Sequence, residues 1–517
     1  MKSMIRSKSH KPIMNTRVTS ALPHKTLACV CAWMLQISAL PAADPVASDT
    51  NSKDAAPLEA QCPPVFDNHA VFQQGIPVPV WGRSLPGAKV TVSFDKQTKE
   101  TVVGKDGQWK VTLAPVPADK LDSLEKAPKG RALTIATELD GKKASKSFTD
   151  ILIGEVWLCS GQSNMAGKVR HNRKNQDPKD DLMQSNFPAV RHISAPGGWQ
   201  MATPQSVGEF TRVGFCFARK VHRELEVPVG LVNACVGGSR IESWMRVPAR
   251  KLPRSANSEK KISYGVLYQQ RIAPLVGYGM RGALWYQGEA NASEGHSYFL
   301  KMESLIKDWR ASWQLGDFPF YSVQLAGIGR SPVDKPAMGD GRARIREAQR
   351  HALTIKNTGM AVAVDIGADR EHPGNKVEVG IRLAHWALHK DYGRKDILPS
   401  GPLYRGFKVE GSAIRISFGH AQGLMVATKT DYIPPVPAPG AKIPWLSIQD
   451  KKGNWHWADG KIDGTDLIVS SRDVDDPVAV RYGYTNRPLG PYLYNSAGLP
   501  ASPFTTVRTM YDDSRTQ

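Results

Sequence analysis

Cysteine is scarce in this chain, with six in 517 residues. Two of them, Cys29 and Cys31, lie in an apolar N-terminal run. The other four, Cys62, Cys159, Cys216 and Cys235, are too few to make a disulfide scaffold, although one or two bridges can form after export. Cys159 and Cys235 fall in strand-like runs, where a buried apolar thiol is the ordinary outcome. There is no CxxC pair and no His-rich spacing, so no metal site and no cofactor is expected. Acidic residues are also in deficit, 48 Asp and Glu against 68 Lys and Arg. Six of the basic residues lie within positions 1–43, which hold no Asp or Glu, and the rest of the chain is still basic. A basic surface suits acidic polysaccharides. No RNP, zinc-finger or basic-helix pattern accompanies the charge, so nucleic acid is not an expected partner.

Long apolar runs are missing as well. The longest, Thr26 to Leu40, follows a basic stretch ending at Lys25 and precedes the small residues Ala42 and Ala43. That order is the pattern of a secretory signal, and the run is short of the roughly 20 residues a membrane span needs. Residues 1–43 are therefore read as a signal peptide. The mature chain is expected to be secreted or periplasmic, with no stable membrane insertion. Nothing in the sequence specifies an oligomeric state.

What is present divides into segments. Residues 44–60 are rich in Ala, Asp, Ser and Pro and read as a linker. Residues 61–150 hold short β-branched runs separated by turn signals such as Pro86-Gly87 and Asp106-Gly107, the pattern of a β-sandwich. Residues 151–398 alternate strand-like runs (153–158, 229–233, 282–286, 320–324 and 361–365) with longer stretches of helical spacing. The alternation predicts a parallel sheet with helices on both faces and ligands at the carboxyl ends of the strands. Residues 399–510 return to a β-rich pattern. The tryptophans Trp81, Trp109 and Trp157 sit in strand patterns and are read as core rather than as sugar platforms.

The chemistry concentrates where the α/β strands end. After the first comes Ser160-Gly-Gln-Ser-Asn-Met165, which puts Ser163 behind a glycine turn. It is not the GxSxG elbow, because Met165 stands where the last glycine would be. After the second comes Gly237-Gly-Ser-Arg240, whose N–H groups suit an oxyanion hole. After the third comes Trp285-Tyr-Gln-Gly-Glu-Ala-Asn291. There Gln287 or Asn291 can supply a side-chain oxyanion donor, and Glu289 adds a carboxylate. Asn291-Ala-Ser293 also fits a glycosylation sequon, which the cleft setting argues against. After the fifth comes Asp365-Ile-Gly-Ala-Asp-Arg-Glu-His-Pro-Gly374. His372 precedes an amphipathic helix marked by Val377, Ile381, Ala384 and Leu388, and Asp369, three residues upstream, is placed to hold its Nδ1–H.

These motifs carry a resemblance. Gly154-Glu-Val-Trp-Leu-Cys-Ser-Gly-Gln-Ser-Asn-Met165, the Trp285–Asn291 motif, and His372-Pro-Gly-Asn-Lys376 followed by Val379-Gly-Ile-Arg-Leu-Ala384 resemble sialate O-acetylesterases. These are SGNH hydrolases related to the family-6 carbohydrate esterases. Val71-Phe-Gln-Gln74, Pro77-Val-Pro-Val-Trp-Gly82 and Tyr494-Asn-Ser-Ala-Gly-Leu-Pro-Ala-Ser-Pro-Phe504 extend the likeness to nearly all of the chain from about residue 63. The resemblance implies a flavodoxin-like three-layer α/β/α catalytic domain between β-rich flanks. It implies an acetylated sugar or polysaccharide as substrate and a metal-free serine mechanism. Ser163 would attack, His372 would act as base, and the backbone of Ser163 and Gly238 would bind the oxyanion together with a polar side chain of the Gln287–Asn291 loop. The sequence departs from the family at one point: Arg370 stands where an Asp often precedes the histidine by two residues. Asp369 is then the expected acid, with Glu289 as rival. Two other readings stand beside a sialate esterase: an esterase of acetylxylan or another polysaccharide, and an inactive secreted sugar-binding protein.

Overall fold

The computed structural model describes residues 57–171, 181–194, 197–246 and 264–507. The expected signal segment and most of the expected linker lie outside them. The described residues belong to one compact unit.

Its centre is an 11-stranded sheet. The path runs Thr358–Val362, Phe320–Gln324, Gly282–Tyr286, Lys142–Gly161, Val229–Cys235, Phe187–Ser194 and Trp199–Ala202. Pairings along it are parallel except the last. The strand Lys142–Gly161 is 20 residues long and crosses the expected boundary at residue 150. Its first half pairs antiparallel with Arg131–Leu139, which belongs to the N-terminal strands. Its second half is all buried.

Burial on both faces accounts for the apolar run Ile151–Cys159. Alternate residues point to opposite layers. Trp157 meets Phe217 of the helix Arg212–Leu225 edge-on at 4.9 Å. Leu158 lines a small void with Trp313, at the end of the helix Tyr298–Trp313. The expected three layers of helix, sheet and helix are therefore present. The helix expected after His372 spans Lys376–Lys390, and the side chain of Asn375 caps it by accepting from the Glu378 N–H.

Two differences from the sequence reading have local causes. The strand expected at 361–365 lies at Thr358–Val362, because Asp365 leaves the sheet to pair with Arg382. The strands Phe187–Ser194 and Trp199–Ala202 were not expected. The buried Arg191 and His192 interrupt the apolar pattern of the first. As expected of strand residues, Cys159 lies buried and Cys235 half-buried as thiols, and burial raises the pKa of both; among the described residues Cys62, Cys159, Cys216 and Cys235 form no disulfide.

Residues 403–505 form three further antiparallel sheets of four, three and four strands. Their own core includes Ile414, Ile448, Leu467 and Phe504.

One buried carboxylate ties several layers together. Glu155 has no solvent exposure and accepts from Gln73 at 3.1 Å, Gln74 at 2.6 Å, Arg281 at 2.8 and 3.0 Å, and Tyr392 at 2.9 Å. Its removal takes their shared acceptor from all of these donors, of which, among the described residues, Gln73 alone keeps another, the Gln74 carbonyl at 3.2 Å. Glu155→Ala is expected to cost about 2–4 kcal/mol, below the upper range for a broken buried pair because Arg281 is partly exposed. A lowered urea midpoint would show it, and an unchanged midpoint would refute the role.

Candidate active site

Three adjacent strands, Gly282–Tyr286, Lys142–Gly161 and Val229–Cys235, end side by side and deliver three loops to one place. The central strand stops at Gly161, whose φ of +128° disfavours a side chain. A Cβ there would also lie 2.2 Å from the Tyr286 carbonyl oxygen. The turn lets the chain start a short helix, Ser163–Ala166, with Ser163 at its first position. The N–H of a first helical residue has no partner within the helix.

His372 comes from the loop beyond Thr358–Val362, and its Nε2 lies 2.8 Å from Ser163 Oγ. The two side chains are 209 positions apart in the chain. Partial desolvation and then the nearby Lys376 ammonium hold the His372 pKa below its ordinary value, with Glu371 opposing them. A neutral imidazole next to a serine hydroxyl can accept its proton.

The expected acid is elsewhere. Asp369 is paired with Arg487 and its side chain is 88% exposed. Glu371, on the other side, is paired with Arg342. A guanidinium thus claims each flanking carboxylate. Among the described residues no carboxylate hydrogen-bonds His372 Nδ1.

The expected side-chain oxyanion donors are spent. Gln287 is fully buried and donates to Asn291 at 2.7 Å and to Gln162 and the Ser239 carbonyl at 3.2 Å. Asn291 is also fully buried. It donates to Glu242 at 3.0 Å and Glu294 at 2.9 Å, over carboxylates paired to the buried Lys301. These amides fix the loop rather than face a ligand, and a glycan cannot sit on Asn291. The backbone of the second loop differs. Gly238 has a φ of +68°, and a Cβ on Gly237 would be 3.8 Å from Ser163 Cβ. Both glycines are exposed, and among the described residues their N–H groups make no hydrogen bond. They remain available as oxyanion donors beside the Ser163 N–H.

Glu289 reaches the site through a residue that sequence reasoning overlooked. Its Oε1 accepts from Asn164 Nδ2 at 2.5 Å, and the same amide donates to the Glu371 carbonyl at 3.1 Å. Asn164 therefore connects the serine helix, the Glu289 loop and the histidine loop. The signal was its place directly after Ser163. Among the described residues, Glu289 Oε2, Asn164 Oδ1 and Lys376 Nζ are all buried without hydrogen-bond partners. Lys376 lies over the Tyr286 ring at 5.4 Å, and burial pulls its pKa down to about 7. Burial raises the Glu289 pKa. No cluster of His, Cys, Asp and Glu suited to a metal ion occurs among the described residues.

Residues 153–389 match the family model described as carbohydrate esterase, sialic acid-specific acetylesterase. The chain is 28% identical to the sialate O-acetylesterase of Homo sapiens over 491 residues, covering 83% of this chain and 89% of that one. It is 27% identical to the sialate O-acetylesterase of Pongo abelii, covering 84% and 90%. Among solved structures, a carbohydrate acetylesterase from Xanthomonas citri superposes with a TM-score of 0.73 at 32% identity. That match covers 87% of this chain and all of the other. With its α/β core, β-rich flanks and strand-end site, the chain belongs to the sialate O-acetylesterase family of carbohydrate esterases and is a carboxylic ester hydrolase.

Proposed function

We propose that the protein is a secreted or periplasmic sialate-type O-acetylesterase that removes acetyl groups from sugars through a serine acyl-enzyme. The observation that carries the serine mechanism is the 2.8 Å contact between His372 Nε2 and Ser163 Oγ. Ser163 Oγ attacks the acetyl carbonyl as His372 takes its proton. The negative charge forming on the carbonyl oxygen is met by the N–H groups of Ser163 and Gly238. His372 then protonates the departing sugar oxygen, and the acetyl group stays on Ser163. A water molecule, deprotonated by His372, releases acetate and restores the serine. The sialate assignment is supported by the relatives' activity, and export by the order of residues in positions 1–43.

A second reading, a polysaccharide acetylesterase, is favoured by one observation. A cavity of about 1200 Å³ lies beside the catalytic pair along the histidine loop, lined by Arg370 and Gly374 though by neither His372 nor Ser163. That is more room than a single acetylated sugar requires, since sites for drug-sized ligands span about 300–1,000 Å³.

Hydrolysis of an aryl acetate tests the nucleophile. Ser163→Ala is expected to lower kcat by about 10³-fold or more; equal rates would end the serine mechanism. Acetate release from O-acetylated sialosides and from acetylxylan separates the substrates, and the sialoside is expected to show the higher kcat/KM.

The acid is tested by a pair of variants. Asp369→Ala should change kcat/KM by less than about fivefold, because an exposed ion pair contributes at most about 1 kcal/mol. Glu289→Ala should lower it by about 10²-fold through misplacement of Asn164 and the histidine loop. The opposite ranking would give Asp369 the acid's role.

The pH profile tests the surroundings of the base. A depressed His372 pKa keeps the imidazole neutral further into acid, so the acid limb of kcat/KM should fall below pH 6.5. Lys376→Met removes a cation that opposes imidazole protonation, and the limb should move to higher pH. A limb that stays in place would exclude Lys376 from tuning the base.

A further inference from the structure

The C-terminal sheets carry a groove remote in sequence from every residue of the catalytic machinery. It encloses about 640 Å³ and includes Trp445 and Trp457, with Lys442, Asp459, Arg472 and Asp473 among its polar lining. The two indoles meet nearly at right angles, 77° between planes with centroids 6.1 Å apart. Trp457 is 37% exposed, and among the described residues its indole N–H has no partner. Trp455, two residues earlier on the same strand, is already covered by the Arg481 guanidinium at 4.1 Å, so Trp457 is the uncovered ring. Trp445 is held in the left-handed region at φ +57° and donates its Nε1–H to the Leu489 carbonyl at 3.0 Å. Such a conformation is unfavourable for a bulky side chain and persists only where its surroundings fix it.

We propose that this groove binds a neutral polysaccharide chain, with Trp445 and Trp457 as stacking platforms for successive sugar rings. The C–H faces of pyranoses match indole faces, and the exposed Trp457 ring beside the half-buried Trp445 is otherwise costly to leave in water. The polar lining suits hydroxyl groups. Arg472 makes no ion pair among the described residues, and the Asp473 carboxylate has no hydrogen-bond partner there. The other two charges, Lys442 and Asp459, face each other at 3.7 Å. Two cations thus stand against two anions, which gives an anionic glycan no net attraction. The apolar surface is also small for a stable protein interface, which buries about 1,200–2,000 Å² in total.

The position supports the same occupant. Leu489, whose carbonyl holds Trp445, lines the large cavity along the His372 loop. A chain seated on the tryptophans can run past Leu489 toward Arg370 and Gly374. The proposal rests on the second reading above, a polysaccharide acetylesterase, and it places the acetylated sugar on a neutral polymer.

Binding is measured on the full-length Ser163→Ala protein, so that hydrolysis does not alter the ligand. The probes are acetylated xylan and acetylated glucomannan as neutral chains and polysialic acid as an anionic one, followed by affinity electrophoresis and calorimetry. At least one neutral chain should bind, with little dependence on salt. Adding Trp457→Ala should weaken that binding about tenfold, or roughly 1.4 kcal/mol. Trp457→Phe should restore part of it. Val409→Ala, at an exposed apolar residue outside the groove, should leave it unchanged. The proposal is overturned if neither neutral chain binds, if Trp457→Ala binds as tightly as its parent, or if polysialic acid is preferred in a salt-sensitive way. Because no turnover is involved, these outcomes leave the serine mechanism to its own test.

Discussion

The backbone between Lys142 and Gly161 belongs to two arrangements at once, and much of the molecule follows from that constraint. Its N-terminal half completes an antiparallel sheet with Arg131–Leu139. Its C-terminal half is the middle strand of the parallel sheet, between Gly282–Tyr286 and Val229–Cys235. Hydrogen bonds on both edges leave this strand little freedom to shift register, since a slip of one residue would send every side chain to the opposite face. Glu155, inside the same strand, adds a charged anchor by gathering Arg281, Tyr392 and the glutamines beside Val71–Gln73. Ser163 inherits the rigidity of that strand through the single turn at Gly161.

The histidine is held differently. It stands in a loop between the sheet edge and the helix Lys376–Lys390, and cross-links from other elements determine its place. Arg342 holds Glu371, Arg487 holds Asp369, and Asn164 holds the Glu371 carbonyl. A base placed by guanidinium groups, with no carboxylate on Nδ1 among the described residues, differs from a triad in which the acid orients the imidazole directly. The buried Lys376 adds a positive charge on the same side. Both features favour the neutral imidazole, the form able to accept a serine proton.

Charge is also distributed in a way that bears on substrate. The chain is basic as a whole, yet several cations around the histidine loop are engaged locally, Lys376 being buried and unpaired among the described residues. Lys429 pairs with Glu378, and Arg487 with Asp369. The excess positive charge therefore says little about the groove and cavity where a sugar would lie. Shape and aromatic surface carry more of that information.

The order of the elements and the places where chemistry collects are legible in the residues alone. Period-two runs and glycine turns are local, so the strands 282–286 and 320–324, the helix after His372 and the loops bearing Ser163, Gly238 and His372 were all legible. What local pattern cannot specify is which of several nearby polar groups a side chain will meet. Asp369 lies three residues from His372, but Arg487, 118 positions away, takes its carboxylate. Gln287 and Asn291 read as donors facing a ligand, but burial turned their amides inward. Asn164 acquired a role only because the Glu289 loop folds against it. Trp445 and Trp457 become neighbours only because Leu446–Asp450 and Trp455–Trp457 pair antiparallel. Each of these depends on partners distant in the chain, and only the tertiary structure chooses among them, because pairing energies are fixed by proximity in space and not by spacing in sequence.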